Sequence, residues 1–256
     1  MTIPRILVIA GSDSGGGAGI QADIKTITML GGHAMTAVTA LTAQNTLGVD
    51  AVMPVPADFV TAQMDACLLD IGADAVKIGM LGSPEVAHAV ADRLDGLGVP
   101  IVFDPVMVAT SGAVLADAPT VEAFERLMRI ASVVTPNLPE LEALGGEAAV
   151  LAHGCHLLAK GGHAEGGVVE DRLLSPNGLI DRLEGKRFDT DDTHGTGCTL
   201  ASALATGLAA GMPIREAFRR AVRFVRIAIL SAPGLGGGNG PLGHHLDVVP
   251  FDEIER

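Results

Sequence analysis

Asp189-Thr190-Asp191-Asp192-Thr193-His194-Gly195-Thr196-Gly197-Cys198-Thr199-Leu200-Ala201-Ser202-Ala203-Leu204 is the segment from which the rest of the chain can be read. Small residues, two of them glycine, occupy Gly195 to Cys198, and an Ala/Leu-rich run from Thr199 to Ala210 with good helix propensity follows. A glycine turn that opens a helix aims free backbone N–H groups at one point, and the helix dipole adds partial positive charge there. Such a turn holds anions, phosphoryl groups above all. Gly195, Thr196, Gly197 and Cys198 are therefore candidate catalytic residues. Cys198 falls in the first helical turn, where that field lowers a thiol pKa and favours thiolate. An ordinary loop-to-helix junction with a buried cysteine fits the same residues.

Working outward, Arg5 to Ala10 is an apolar run closed by Gly11, the pattern of a buried parallel strand. A polar glycine loop, Ser12 to Gly19, leads into helical spacing from Ala18 to Leu30. A phosphate-binding loop of the Gly-Lys-Ser/Thr type is excluded, since no lysine precedes Lys25. The dinucleotide pattern Gly17-Ala18-Gly19 lacks its downstream acid, because Thr39 to Asn45 contains no carboxylate. His33 to Thr42 reads as a second strand, ending at Ala43-Gln44-Asn45-Thr46. Gln44 carries a donor and an acceptor where open α/β sheets hold ligands, although an amide capping its own loop would look the same.

Further strands are expected at Ala75 to Ile78, Val99 to Phe103, Ser132 to Thr135 and His156 to Ala159. Helices are expected at Asp58 to Leu69 (with Phe59, Val60, Met64, Cys67 and Leu68 on its apolar side), Pro84 to Leu94, Val121 to Ile130 and Arg215 to Leu230. Val168 to Leu173, Leu179 to Leu183 and Lys186 to Asp189 read as a small antiparallel set. Met80 and Met107 follow strand ends, as does Asp104, a lone carboxylate better explained by a cation or phosphate than by packing. Asn137-x-x-Glu140 fits either a capping box or a Mg²⁺ site. The tail from Gly234 to Gly243 reads as loop, with His244 and His245 as surface residues. Strands and helices alternate over residues 1–256 without a linker, which predicts one doubly wound α/β domain. Its ligand region lies where the loops holding Gly11, Gln44, Met80, Asp104, Asn137 and Gly195 converge.

Composition narrows the function. A formal charge of −13 argues against a nucleic-acid surface or an acidic membrane as partner. Aromatics amount to 3%, with neither Trp nor Tyr, so base-stacking platforms are missing. Three widely spaced cysteines, 67, 155 and 198, exclude a disulfide framework and a CxxC metal site. Neither a signal peptide at Met1-Thr2-Ile3-Pro4-Arg5 nor an apolar run of membrane-spanning length is found, so the expectation is a soluble cytoplasmic protein.

Seven blocks then carry a resemblance: Gly11 to Asp23, Thr39 to Thr46, Lys77 to Leu81, Asp104 to Gly112, Thr135 to Glu140, Lys160-Gly161-Gly162-His163, and Thr193 to Thr199. In content and order they resemble the hydroxymethylpyrimidine/phosphomethylpyrimidine kinases of thiamine biosynthesis. The resemblance implies a ribokinase-like three-layer α/β/α fold with a central mostly parallel sheet, usually assembled as a homodimer. It implies ATP and Mg²⁺, and two successive phosphoryl transfers onto 4-amino-5-hydroxymethyl-2-methylpyrimidine. Gly11, Asp23, Gln44, Met80, Val106 and Cys198 would line the pyrimidine pocket; Asn137, Lys160 and Thr193 would serve ATP, with Asp104 and Glu140 at the metal. Related sugar kinases place Asp where Cys198 stands, so Cys198 would be the general base. Pyridoxine or pyridoxal kinase is the nearest alternative, and a non-catalytic pyrimidine-binding regulator another. The chain departs from the family at Ser14-Gly15-Gly16, where Pro-Ser-Gly is usual. It departs again at Gly145 to Gly154, where most of a helix is replaced, and at the glycines Gly236-Gly237-Gly238.

Overall fold

A computed structural model describes residues 2–108, 112, 114–162 and 166–246. Ala109, Thr110, Ser111 and His163, quoted above for the resemblance, and Met1 lie outside the described residues. The strands are β1 (Arg5–Asp13), β2 (His33–Gln44), β3 (Val49–Pro54), β4 (Ala75–Ile78), β5 (Ile101–Phe103), β6 (Val133–Val134), β7 (His156–Ala159), β8 (Val168–Ser175) and β9 (Gly178–Lys186). They join one sheet in the order β3-β2-β1-β4-β5-β6-β7-β8-β9. Every pairing from β2 through β1, β4, β5 and β6 to β7 is parallel. Among the described residues antiparallel strands sit only at the two edges. The fold is the expected ribokinase-like α/β/α arrangement.

Strand geometry divides the core in two. Successive side chains point to opposite faces, so in β1 Leu7 and Ile9 enter one apolar cluster while Ile6, Val8 and Ala10 enter the other. Helices α2 (Ala57–Asp70), α3 (Pro84–Leu94) and α4 (Ala118–Ile130) cover the first face, through residues such as Met64, Val90 and Phe124. The Phe124 ring meets Phe103 edge-on at 5.1 Å. Helices α1 (Gly19–Met29), α7 (Thr196–Ala209) and α8 (Ile214–Leu230) cover the second, through Ile27, Leu204 and Phe218. Each such buried side chain contributes about 1.5–3 kcal/mol. Two short helices, α5 (Leu138–Ala143) and α6 (Gly146–Leu151), connect β6 to β7.

The chain leaves β1 toward β2 on one side and returns to β4 on the other, making β1/β4 the topological switch point. In such sheets ligands sit beyond the carboxyl ends of the strands at that crevice.

Several expectations need correction. β1 continues through Gly11 to Asp13 rather than stopping at Gly11, because a register shift between Ala10 and Ser12 keeps it paired to β2. β3 was not anticipated, since its outward side chains carry no buried pattern. The antiparallel set has two strands, as β9 already includes Lys186. Phe59 is exposed, and α2 buries only Val60 and Met64. Among the described residues no helix is long and apolar enough to cross a membrane.

Candidate active site

Beyond the strand ends the loops enclose one cavity of about 1160 Å³. Gly11, Gln44, Met80, Asp104, Val106, Asn137, Glu140, Lys160, Thr193, Gly195, Thr196, Gly197 and Cys198 all line it. The switch point thus brings together every expected site residue except Asp23.

At the start of α7, Gly195 has φ +88°, and no side chain caps the helix. A Cβ at Gly195 would also strike the Gly17 carbonyl, so glycine is required twice over, by conformation and by space. This contact locks the first loop against the helix start. The Thr196 N–H donates to the Thr193 carbonyl at 3.3 Å, and the remaining first-turn N–H groups at Gly197 and Cys198, beside the cavity, form an anion hole. A Cβ on Gly197 would lie 3.1 Å from Lys160 Nζ and 3.6 Å from Asp104 Oδ2, which places both charges at its rim.

Lys160 Nζ donates to Asp104 Oδ1 at 2.7 Å and stands 3.7 Å from Glu140 Oε2. Burial disfavours its charge, but Asp104 and Glu140 outweigh it and raise the lysine pKa. Thr135 Oγ1 donates to Asp104 Oδ1 as well, at 2.9 Å. Among the described residues Asp104 Oδ2 is buried without a hydrogen-bond partner. Glu140 is buried too, and desolvation pushes its carboxyl pKa up against the pull of Lys160. It closes a capping box with Asn137: the Asn137 N–H donates to Glu140 Oε2 at 2.8 Å, and the Glu140 N–H donates to Asn137 Oδ1 at 2.9 Å.

Across the cavity, Asp13 at the end of β1 gathers the first loop. Its carboxylate accepts from the Gly15, Gly17 and Ala18 amides and contacts His194 Nε2 at 2.9 Å. Burial works against the charge, yet these bonds from His194, Ala18 and Gly15 together hold its pKa down. Gln44 Nε2 stands 3.3 Å from His194 Nε2, and Gln44 Oε1 3.2 Å from Thr42 Oγ1. The end of the Met80 side chain lies over Gly11, where any Cβ would collide with it. The cavity thus carries an amide and a thioether at one end and an anion hole with a lysine–carboxylate pair beside it.

The family model described as phosphomethylpyrimidine kinase matches residues 13–243. The chain belongs to the phosphomethylpyrimidine kinase family. This kinase is 46% identical over 255 residues to the hydroxymethylpyrimidine/phosphomethylpyrimidine kinase of Rhizobium meliloti, covering 93% of the chain and 96% of that protein. It is 47% identical to the thiamine biosynthesis bifunctional protein ThiED of Geobacter sulfurreducens over 94% of the chain, and spans 52% of that longer protein. Among solved structures, an ADP complex of Bacillus subtilis pyridoxal kinase superposes with a TM-score of 0.87 at 31% identity, covering 96% of this chain and 98% of that one. Phosphomethylpyrimidine kinase from Clostridium difficile 630 gives 0.75 at 36% identity, covering 89% and 100%.

Three site expectations change in this kinase. Asp23 is fully buried beneath the cavity, where its carboxylate takes Lys77 Nζ at 2.9 Å and Ser202 Oγ at 2.6 Å. It is not among the residues that line the cavity and supports the floor from below. Cys198 does not rest as a thiolate: burial, with the charges of Asp23 and Asp104, overrides Lys77 and pushes the thiol up to about 11. Asp104 is not a lone carboxylate, since Lys160 pairs with one of its oxygens.

Four residues escaped the sequence reading. Lys77 shows itself only as a charge inside the all-buried strand Ala75–Ile78, a sign of a buried partner. Asp13 opening a glycine loop has the pattern of a side chain bonding to amides just ahead of it. His194 carried no local signal because its partners are remote in sequence. His244 is buried, with Nε2 2.9 Å from Thr199 Oγ1, and burial lowers its pKa to about 4, so it is not a surface residue; His245 is exposed.

Proposed function

We propose that this kinase phosphorylates the hydroxymethyl oxygen of 4-amino-5-hydroxymethyl-2-methylpyrimidine from ATP and then phosphorylates the resulting monophosphate to the diphosphate. The observation that carries this reading is the single cavity holding Gln44 and Met80 together with the Gly195–Cys198 amides, Asp104 and Lys160. Its volume exceeds what a lone pyrimidine needs.

Phosphoryl transfer needs alignment and charge stabilisation more than covalent help. The amides of the α7 start receive the migrating group, and Lys160 offsets charge on the nucleotide phosphates. Mg²⁺ fits the donors present: Asp104 Oδ2 is a buried oxygen without a partner, and Mg²⁺ is held by one or two carboxylates plus substrate phosphates. When bound, it would neutralise triphosphate charge. Glu140 is the second candidate ligand, and Asn137 and Thr193 border the nucleotide. Gly11, Gln44, Met80 and Val106 face the pyrimidine. Cys198 enters as a thiol, so its service as general base is confined to the minor thiolate fraction and rises with pH. A homodimer, a cytoplasmic location and a single kinase domain over residues 1–256 belong to the same proposal.

Pyridoxal kinases among the solved structures keep a second substrate in view, because the same cavity could hold a pyridine alcohol. Identity of 46% to a hydroxymethylpyrimidine/phosphomethylpyrimidine kinase against 31–32% to pyridoxal kinases favours the pyrimidine. Incubation with ATP, Mg²⁺ and each alcohol, read by mass spectrometry, decides between them. Pyrimidine diphosphate is expected; phosphorylated pyridoxal with an unchanged pyrimidine would overturn the assignment.

A further inference from the structure

Gln44 is set between two polar side chains whose own hydrogens are already committed, and that commitment fixes which way its amide faces. The oxygen and nitrogen of such an amide are told apart only by their partners. On one side, His194 Nε2 stands 2.9 Å from Asp13 Oδ2. Asp13 accepts three backbone amides, so it is an acceptor there, and His194 Nε2 must carry the hydrogen. A nitrogen of Gln44 at 3.3 Å would set donor against donor. On the other side, the Thr42 hydroxyl has one hydrogen, and the Ser12 carbonyl takes it at 2.9 Å. Toward Gln44, at 3.2 Å, Thr42 Oγ1 can then only accept. Both neighbours demand the same answer: oxygen toward His194, nitrogen toward Thr42.

We propose that His194 and Thr42 are positioning residues which lock the Gln44 amide in this sense and thereby fix the orientation of the bound ring. The inference rests on the aminopyrimidine substrate proposed above. The Gln44 oxygen, on the His194 side, accepts from the exocyclic 4-amino group, and its nitrogen, on the Thr42 side, donates to the adjacent ring nitrogen. The 4-amino group neighbours the carbon bearing the hydroxymethyl arm. The His194 ring and Gly195 both pack against Gly17 and line the same cavity, so placing that amine beside His194 turns the arm toward Gly195 and the anion hole. The opposite amide would put the ring nitrogen there and carry the arm away from the hole. A ring with 4-oxo and N3–H groups presents the reverse donor–acceptor order and is rejected, as sites built on hydrogen bonds reject mismatched partners.

The test compares kcat/KM for the 4-amino substrate with that for its 4-oxo analogue. Wild type should favour the amine by at least a hundredfold. Thr42→Val, nearly isosteric, should lower that ratio roughly tenfold or more, and Thr42→Ser should restore it. His194→Leu should do the same, with His194→Gln, which keeps an N–H for Asp13, recovering part. A role in folding alone would change both substrates equally and leave the ratio intact. Equal turnover of both rings by wild type, or a ratio held within twofold in Thr42→Val and His194→Leu, would overturn the orientation. No turnover of the amine by wild type would instead remove the substrate assignment, and this inference with it.

Discussion

Two lysine–aspartate pairs flank Cys198, and they differ in what is left over. Lys77 and Asp23 meet at 2.9 Å with neither side chain exposed, and Ser202 takes the second Asp23 oxygen. Burial opposes the Lys77 charge, but the negative groups around it, Asp23 first with Cys198 and Asp104 behind it, together raise the lysine pKa. Lys160 and Asp104 meet at 2.7 Å on the cavity wall, and one Asp104 oxygen has no partner among the described residues. The first pair is closed and joins β4 to α1 and α7. The second is open, with unused bonding capacity at the rim of the anion hole. An ion pair alone says little about function; a buried pair with an unsatisfied atom facing a cavity says a good deal.

The largest effect should come from breaking the closed pair. Lys77→Met strands a buried carboxylate and should cost about 3–5 kcal/mol of stability, seen as a lower urea midpoint. Combining it with Asp23→Leu should recover much of that loss, because the uncompensated charge is gone. Breaking the open pair should act mainly on rate. Asp104→Asn should lower kcat by about a hundred- to a thousandfold, with a smaller drop in the urea midpoint than Lys77→Met, because Glu140 remains beside Lys160.

A third effect reads both pairs at once through Cys198. Its thiol, at about 11, should alkylate with iodoacetamide at a rate that climbs about tenfold per pH unit through the neutral range, followed by mass spectrometry of its peptide. Asp104→Asn removes a negative charge and should move the profile to lower pH; Lys77→Met removes the positive one and should move it higher. The smallest effect is expected at the capping box. Asn137→Ala should cost about 1 kcal/mol in thermal unfolding, because it deprives α5 of its cap.

The parallel sheet was legible because its strands are short apolar runs closed by glycine, proline or aspartate, and Ala75–Ile78 and His156–Ala159 were located to the residue. The anion hole was legible for a local reason, since glycine turn and helix are contiguous. What stayed hidden depends on contacts between distant segments. Asp23 and Lys77 are 54 residues apart, and His194 and Asp13 are 181 apart. The thiolate expectation at Cys198 failed for a related reason. It weighed the helix field, which is local, but not the burial and the two carboxylates that folding brings around the sulfur.

The division between closed and open pairs is tested most directly by single-turnover phosphoryl transfer from ATP, compared between Asp104→Asn and the double variant Asp23→Leu/Lys77→Met. A transfer rate within about tenfold of wild type is expected for the folded double variant, and a loss of about a hundredfold or more for Asp104→Asn. Full transfer by Asp104→Asn, or a folded double variant that transfers as poorly as Asp104→Asn is expected to, would contradict that division.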